Sequence, residues 1–266
     1  MSSFHINRRL LLPEKPILLN KRASFKANPV CVGGVGGSGT RVVAEVLENL
    51  GVFIGSNINE SKDNFDLPLN QKLSGIDSLV HGYETIADVL EAFESKMHSD
   101  SMSKLWGWKV PGSFYWLDYL SYYFQELRYI HVIRSGLDMA FSANTNQLRN
   151  WGPFFCLNPG PSPSPKEVLD YWILANKFAI QKATKLLNHN FLLVRFDHLC
   201  SEPEKEVKRI SDFLDINCCD EKIEKIARSV ITPPRSIGRY LAQLKESDIE
   251  EYQVEEVREF GFSAVC

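Results

Sequence analysis

The amino-acid sequence predicts an α/β protein in three layers, with a central, mostly parallel sheet flanked by helices. Three observations support this fold class. Short apolar runs typical of buried strands alternate with longer segments of helical periodicity, as in right-handed β-α-β units. The first apolar run ends in a glycine-rich loop that leads into a helical pattern. The chain has 266 residues, 44% of them hydrophobic, which suits one large domain.

Residue patterns place the elements in order along the chain. Apolar runs predict four strands, at residues 30–32, 105–110, 129–133 and 191–194. Helical periodicity predicts helices at residues 40–50, 86–97, 114–124, from 137 onward, 166–187, 203–214, 221–230 and about 247–260. Loops are predicted at residues 55–82 and in the proline-rich stretch 151–165. We expect residues 1–27 to form an N-terminal extension and residues 28–266 a single domain.

Charge and cysteine spacing exclude several classes of function. The formal net charge of −3 gives no reason to expect nucleic-acid binding. The six cysteines show no C-x-x-C pair and no zinc spacing, so no metal site is predicted. We expect them to be reduced thiols of a cytoplasmic protein. The apolar run near the N-terminus is far too short to span a bilayer.

The loop at residues 33–41 has the composition of a phosphate-binding loop. Backbone N–H groups in a tight glycine turn converge on a concavity, and the positive end of the following helix dipole also attracts an anion. Three glycines leave room for close approach and two side chains offer hydroxyls: Gly36, Gly37, Gly39, Ser38 and Thr40. The alternative is a strand-turn-helix junction whose glycines serve only packing.

The loop departs from that of nucleotide triphosphatases, G-x-x-x-x-G-K-[ST]. Gly34 and Gly39 keep the glycine spacing, but Thr40 stands where the lysine is needed. Arg41 replaces the hydroxyl that binds the metal ion. The sequence therefore disfavours ATP–Mg²⁺ chemistry, and a P-loop small-molecule kinase is a weaker alternative.

Four stretches, in order along the chain, resemble the sulfotransferases that use 3′-phosphoadenosine 5′-phosphosulfate (PAPS). Residues 36–41 correspond to the loop P-K-S-G-T-[ST] and share its S-G-T, and residues 134–142 match R-x-x-x-D-x-x-x-S directly after a strand. Residues 195–199, with a following proline, resemble R-Y-E-D-L, and residues 236–240 resemble the family's basic loop before the last helix. The departure is Gly37, which occupies the place of the family's loop lysine or arginine.

The resemblance implies a P-loop-containing sulfotransferase-like fold and the transfer of a sulfuryl group from PAPS. The acceptor would be a hydroxyl or amine of a small molecule or glycan, and adenosine 3′,5′-bisphosphate would be released. A nucleotide-binding protein of the same fold, impaired in turnover by Gly37, is the alternative. The resemblance implies that the donor is held by Gly36, Gly37, Ser38, Gly39, Thr40, Arg41, Arg134, Ser142, Arg235 and Arg239.

Within that set, Arg134 and Ser142 are expected to bind the 3′-phosphate, with Ser142 about two helical turns further along. One of Arg235 and Arg239 is expected to complete this site. The alternative for Arg134 is a surface ion pair with Asp138, a residue that we expect to cap or orient rather than react.

Two residues are predicted to act in catalysis. Lys109 ends a strand before a proline, so we expect it to replace the missing loop cation; the alternative is a solvated lysine. Glu60 is the preferred general base, followed by Asp63; the alternative is that these two and Asp66 only solvate a loop. Phe196 or Trp106 is a candidate to stack on adenine, although such aromatic residues more often belong to the core.

Overall fold

The structure is a computed structural model that describes residues 28–67, 86–102 and 105–263. The expected N-terminal extension, residues 1–27, lies outside these ranges, as does the second part of the predicted loop, residues 68–82.

Four parallel strands form the sheet, in the spatial order β2-β1-β3-β4. They are β1 (Val30–Gly34), β2 (Gly107–Lys109), β3 (Arg128–Ile133) and β4 (Phe191–Arg195). The register pairs the strands near their carboxyl ends: Val32 with Lys109, Gly34 with Val132, and Ile133 with Arg195. All four strands therefore end at the same edge of the sheet, where ligands bind in open α/β folds.

Ten α-helices connect and cover these strands in the described part of the chain. They are α1 (Thr40–Leu50), α2 (Ile86–Asp100), α3 (Leu117–Tyr123), α4 (Gly136–Ala140), α5 (Asn146–Trp151), α6 (Pro165–Leu187), α7 (Phe196–Ser201), α8 (Pro203–Phe213), α9 (Asp220–Val230) and α10 (Glu251–Glu259). Short 3₁₀ turns occur at Pro111–Trp116, Gly152–Phe155, Asn188–Asn190, Arg239–Ala242 and Leu244–Glu246.

Side chains that alternate along the strands build a core on each face of the sheet. Val32 and Val132 point to one face and pack with α1, α8 and α9. Cys31 and Tyr129 point to the opposite face and pack with α2, α3 and α6. The observed order of layers confirms the predicted three-layer architecture with a parallel sheet.

Several elements differ from the sequence-based predictions, among them the short helices α5 and α7, which were not predicted. The segment predicted as one helix at residues 114–124 begins as a 3₁₀ turn, Pro111–Trp116, and becomes α-helical only at Leu117. Helix α4 ends at Ala140, and in the turn that follows Asn144 Oδ1 accepts a hydrogen bond from the backbone N–H of Asn146, the first residue of α5. The last helix begins at Glu251, since Glu250 and Gln253 form a capping box there.

Candidate functional site

The glycine-rich loop connects the end of β1 to the first turn of α1. Gly37 and Gly39 have φ angles of +97° and +93°, a left-handed conformation that favours glycine. A loop of this kind turns backbone N–H groups toward one concavity at the helix N-terminus. The glycines are therefore required by the backbone of the loop, as well as by the space that an anion would need.

The absence of a basic side chain at Gly37 has a structural reason. Any other residue at this position would have to adopt the same left-handed φ. Its Cβ would lie 3.1 Å from Met139 Cε. At Gly36, a Cβ would lie 2.7 Å from Gln147 Nε2, because α5 packs its side chain over the loop. The loop is thus covered by Met139 and Gln147, which no sequence motif pointed out.

The hydroxyl and cationic side chains of the loop are placed differently from one another. Ser38 is buried and its hydroxyl donates a hydrogen bond to the Val35 carbonyl, so the hydroxyl stabilises the turn itself. Thr40 is buried at the start of α1. The Arg41 side chain is 59% exposed and forms an ion pair with Glu45 at 3.7 Å.

Arg134 lies directly after β3 and is buried. Its Nη2 donates to Ser236 Oγ at 2.9 Å and lies 3.7 Å from Asp138 Oδ2. Its Nε is buried and has no hydrogen-bond partner among the described residues. Burial lowers the pKa of Arg134, the carboxylate of Asp138 opposes this, and the nearby positive charge of Arg239 reinforces it. A buried guanidinium with an unpaired donor beside a second guanidinium suits a phosphate.

The loop before α10 docks against this arginine. Gly238 N donates to Asp138 Oδ2 at 3.0 Å, which shows how Asp138 orients the loop. Arg239 donates to the carbonyls of Ser236 (3.2 Å) and Phe141 (3.4 Å). Arg235 is exposed on the same loop. The structure therefore brings Arg239 to Arg134 and leaves Arg235 at the surface.

Ser142 lies beyond the end of α4, so the expected position two helical turns along one helix is wrong. Its backbone N–H donates to the Met139 carbonyl at 3.0 Å. Its hydroxyl accepts a hydrogen bond from Asn144 N at 3.2 Å. The side chain is half-buried and follows Phe141, whose carbonyl binds Arg239. Ser142 therefore lies on a turn, next in sequence to the residue whose carbonyl binds Arg239.

Lys109 ends β2 and is only 3% exposed, which rules out the alternative of a solvated lysine. Its Nζ donates to Asp63 Oδ1 at 2.5 Å and to the Ser61 carbonyl at 2.9 Å. Burial lowers the pKa of Lys109; the hydrogen bond and charge of Asp63 oppose this effect, and the charge of Arg41 adds to it. Lys109 therefore lies within electrostatic reach of the first turn of α1.

The loop that carries Asp63 is fixed to the end of β2. Asn64 N donates to the Lys109 carbonyl at 3.0 Å, and the fully buried Asn64 amide donates to the Ile54 carbonyl at 3.0 Å. Asn59 Nδ2 donates to Asp63 Oδ2 at 3.0 Å, so both carboxylate oxygens are oriented. Glu60 is exposed, and the hydrogen bonds of Lys109 described above go to Ser61 and Asp63 instead.

The two aromatic candidates for adenine stacking are both part of the core. Trp106 is 2% exposed and packs edge-on against Phe93, with the ring centroids 6.0 Å apart. Phe196 is 4% exposed and lies under the guanidinium of Arg134. Neither ring offers an open face, so the prediction that one of them stacks on adenine is wrong.

Comparison with known proteins identifies the family. The family model described as "Sulfotransferase family" matches residues 29–221, well over half of the chain. The chain therefore belongs to the sulfotransferase family. Membership confirms the sequence-based predictions of a sulfotransferase-like α/β fold, of an enzyme that transfers a sulfuryl group, and of PAPS as its co-substrate.

Solved structures share this fold at low sequence identity. The sulfotransferase domain of the Synechococcus PCC 7002 olefin synthase is 14% identical with a TM-score of 0.53, and the match covers 92% of this chain and 99% of that one. The sulfotransferase domain from the curacin biosynthetic pathway is 13% identical with a TM-score of 0.52, over 86% and 100% of the two chains. Mouse SULT7A1, complexed with PAP, is 14% identical with a TM-score of 0.50, over 90% and 84%.

A search of curated proteins finds no match to this sequence. Within the ranges that the structure describes, no helix is both long enough and apolar enough to cross a membrane.

Proposed function

We propose that the arginine cluster and the glycine-rich loop hold the two ends of PAPS. The cluster of Arg134, Ser236 and Arg239 would bind the 3′-phosphate, and the observation that supports this role is the buried, unpaired Nε of Arg134. The N-terminus of α1 and its loop would bind the 5′-phosphosulfate through backbone N–H groups. Ser142 and Arg235 are retained as candidate ligands from the sequence.

We further propose that Lys109 and Asp63 carry the chemical step. In sulfuryl transfer the acceptor oxygen attacks sulfur, the bond from sulfur to the bisphosphate oxygen breaks, and the acceptor proton must be removed. Asp63 would accept that proton, because its Oδ1 lies beside Lys109 and its other oxygen is held by Asn59. Lys109 would stabilise the negative charge that grows on the leaving oxygen, in place of the absent loop cation.

The contact between Lys109 and Asp63 is the single observation that carries this proposal. It favours Asp63 over Glu60, the residue that the sequence alone ranked first. Exchange of either carboxylate for its amide separates the two, because the amide keeps the shape but cannot accept the proton. We expect Asp63→Asn to lower kcat by about a hundredfold or more, the usual effect of removing a general base. Glu60→Gln is the matched control.

The measurement is the release of adenosine 3′,5′-bisphosphate from PAPS in the presence of a panel of phenols, alcohols and amines. Binding of the bisphosphate to each variant is measured in parallel by calorimetry, and it should match that of the wild-type protein. Loss of turnover in Glu60→Gln with normal turnover in Asp63→Asn would refute the assignment of the base.

The position of Gly37 favours one alternative function. Because the loop lacks its usual cation, the chain would be a PAPS-binding protein without turnover if Lys109 did not replace that charge. Tight binding of PAPS without release of the bisphosphate, across the whole acceptor panel, would support this alternative. The nature of the acceptor, a small molecule or a glycan, and a cytoplasmic location remain proposals that rest on the sequence.

A further inference from the structure

Phe196 contacts both of the regions that would hold the ends of the nucleotide. It is the first residue of α7, directly after β4, and it is buried. Its ring approaches the glycine-rich loop so closely that a Cβ on Gly39 would lie 2.2 Å from Phe196 Cδ2. Arg134 Cζ also lies 5.4 Å from the centroid of the same ring. One side chain therefore contacts both regions.

The next residue adds a second link to the arginine cluster. Asp197 Oδ2 accepts a hydrogen bond from the backbone N–H of Ser135, the residue that follows Arg134, at 3.2 Å. The beginning of α7 thus fixes the backbone after β3 through Asp197 and the guanidinium through Phe196. A guanidinium over an aromatic face is attracted to the ring, and the rigid ring limits where it can move.

Such a ring has a consequence for a ligand with two anionic ends. A ligand that bridges two sites gains affinity only if the distance between the sites matches the ligand. The ring of Phe196 contacts both Gly39 and Arg134, so its size and position restrict where these two can lie relative to each other. A smaller or more flexible side chain would leave both sites present, but the distance between them would no longer be fixed.

We propose that Phe196 is a positioning residue that sets the spacing between the 5′-phosphosulfate loop and the 3′-phosphate arginine. This inference rests on the proposed function, in which both regions bind one nucleotide. In this role Phe196 does not stack on adenine, as the sequence suggested, but holds the residues that would bind the nucleotide.

The test compares ligands that occupy one or both regions. Affinities of adenosine 3′,5′-bisphosphate, adenosine 5′-monophosphate and adenosine 3′-monophosphate are measured by calorimetry for the wild type and for Phe196→Leu. We expect Phe196→Leu to weaken the bisphosphate by about tenfold or more, the loss of roughly one well-placed interaction. This loss should exceed the product of the losses for the two monophosphates, because only the bisphosphate senses the spacing.

Three variants complete the design. Phe196→Tyr keeps the ring, as in the tyrosine of the family's R-Y-E-D-L stretch, and should retain at least half of the wild-type affinity. Phe191→Leu makes the same exchange at the other end of β4, where the ring stacks on Tyr129, and should leave nucleotide affinity unchanged. Phe196→Met fills nearly the same volume without a ring face, and it takes the place of Phe196→Leu if thermal unfolding shows that the leucine variant does not fold.

The outcomes separate the inference from the function on which it rests. Suppose that the wild type binds the bisphosphate and that Phe196→Leu, or Phe196→Met in its place, loses bisphosphate affinity only by the product of its two monophosphate losses. The spacing role is then refuted. An equal loss in Phe191→Leu would also refute it, since the effect would then reflect general packing. If the wild type binds none of the nucleotides, the proposed function itself fails.

Discussion

His131, in the middle of β3, makes the stability of the protein depend on pH. Its ring is fully buried, and burial lowers its pKa from 6.5 to about 4, although the hydrogen bond to Asn176 opposes that shift. The Asn176 amide donates to the Trp172 carbonyl, so its oxygen accepts from His131 Nε2 at 3.0 Å. His131 Nδ1 then accepts from the Tyr129 hydroxyl at 2.8 Å. The neutral imidazole thus has both ring nitrogens hydrogen-bonded in the folded protein.

The size of the effect follows from the two pKa values. The folded pKa lies below the unfolded one, so the stability that His131 contributes is present above pH 6.5 and is lost as pH falls toward 4. At 1.36 kcal/mol for each pKa unit, the full loss is about 3 kcal/mol. Between pH 7 and pH 5, about 2 kcal/mol of this is expressed.

The assay is urea unfolding at pH 7 and pH 5, followed by tryptophan fluorescence, for the wild type and for His131→Gln. Glutamine does not titrate and can still donate to Asn176. Carboxylates that titrate in this window act in both proteins, so the comparison is the change with pH in one protein against that in the other. We expect the wild type to lose about 2 kcal/mol more than His131→Gln. The same pH dependence in both proteins would refute this interpretation of the buried histidine.

Three further predictions concern the candidate site. Because burial lowers the pKa of Lys109 below its ordinary 10.5, kcat should begin to fall at a pH below that value as the pH is raised. Lys109→Arg should remove this alkaline decrease, because arginine keeps its charge. The same alkaline decrease in both enzymes would contradict the role of Lys109. Arg134→Lys should weaken adenosine 3′,5′-bisphosphate about tenfold in calorimetry while adenosine 5′-monophosphate binds as before, and equal losses for both ligands would exclude a specific 3′-phosphate contact. Gly39→Ala should lower the free energy of unfolding by about 2 kcal/mol more than Gly51→Ala. Both glycines have a positive φ, but a Cβ on Gly51 meets no atom within 4 Å, whereas one on Gly39 meets Phe196. Equal losses in urea unfolding would contradict the close contact with Phe196.

Much of the fold was predictable because its signals are local. The apolar run at β1, the glycine loop and the periodicity of α1 each depend on neighbouring residues, and Arg134 and Lys109 follow from their places at strand ends. Alternation of strands and helices then requires parallel pairing, which brings those strand ends to one edge.

The remaining features depend on contacts between residues distant in sequence. The sequence ranks Glu60 before Asp63, and only the hydrogen bonds of Asn59 and Asn64 decide which carboxylate of this loop faces Lys109. Gln147 belongs to no recognisable motif, yet its side chain packs over Gly36. No periodicity in the sequence indicates where a helix six residues long will place one side chain.

The hydrogen bond from Gly238 to Asp138 joins two segments one hundred residues apart. All four strands of the sheet precede residue 196, whereas Ser236, Gly238 and Arg239 follow the last helix of the matched region. Synthesis proceeds from the N-terminus, so a nascent chain that has emerged only as far as Ile231 already holds β1 to β4 and Arg134 itself. The arginine cluster is completed only after the sheet has been synthesised. The same late segment also completes the core around α6, to which Tyr240, Val254 and Val257 contribute.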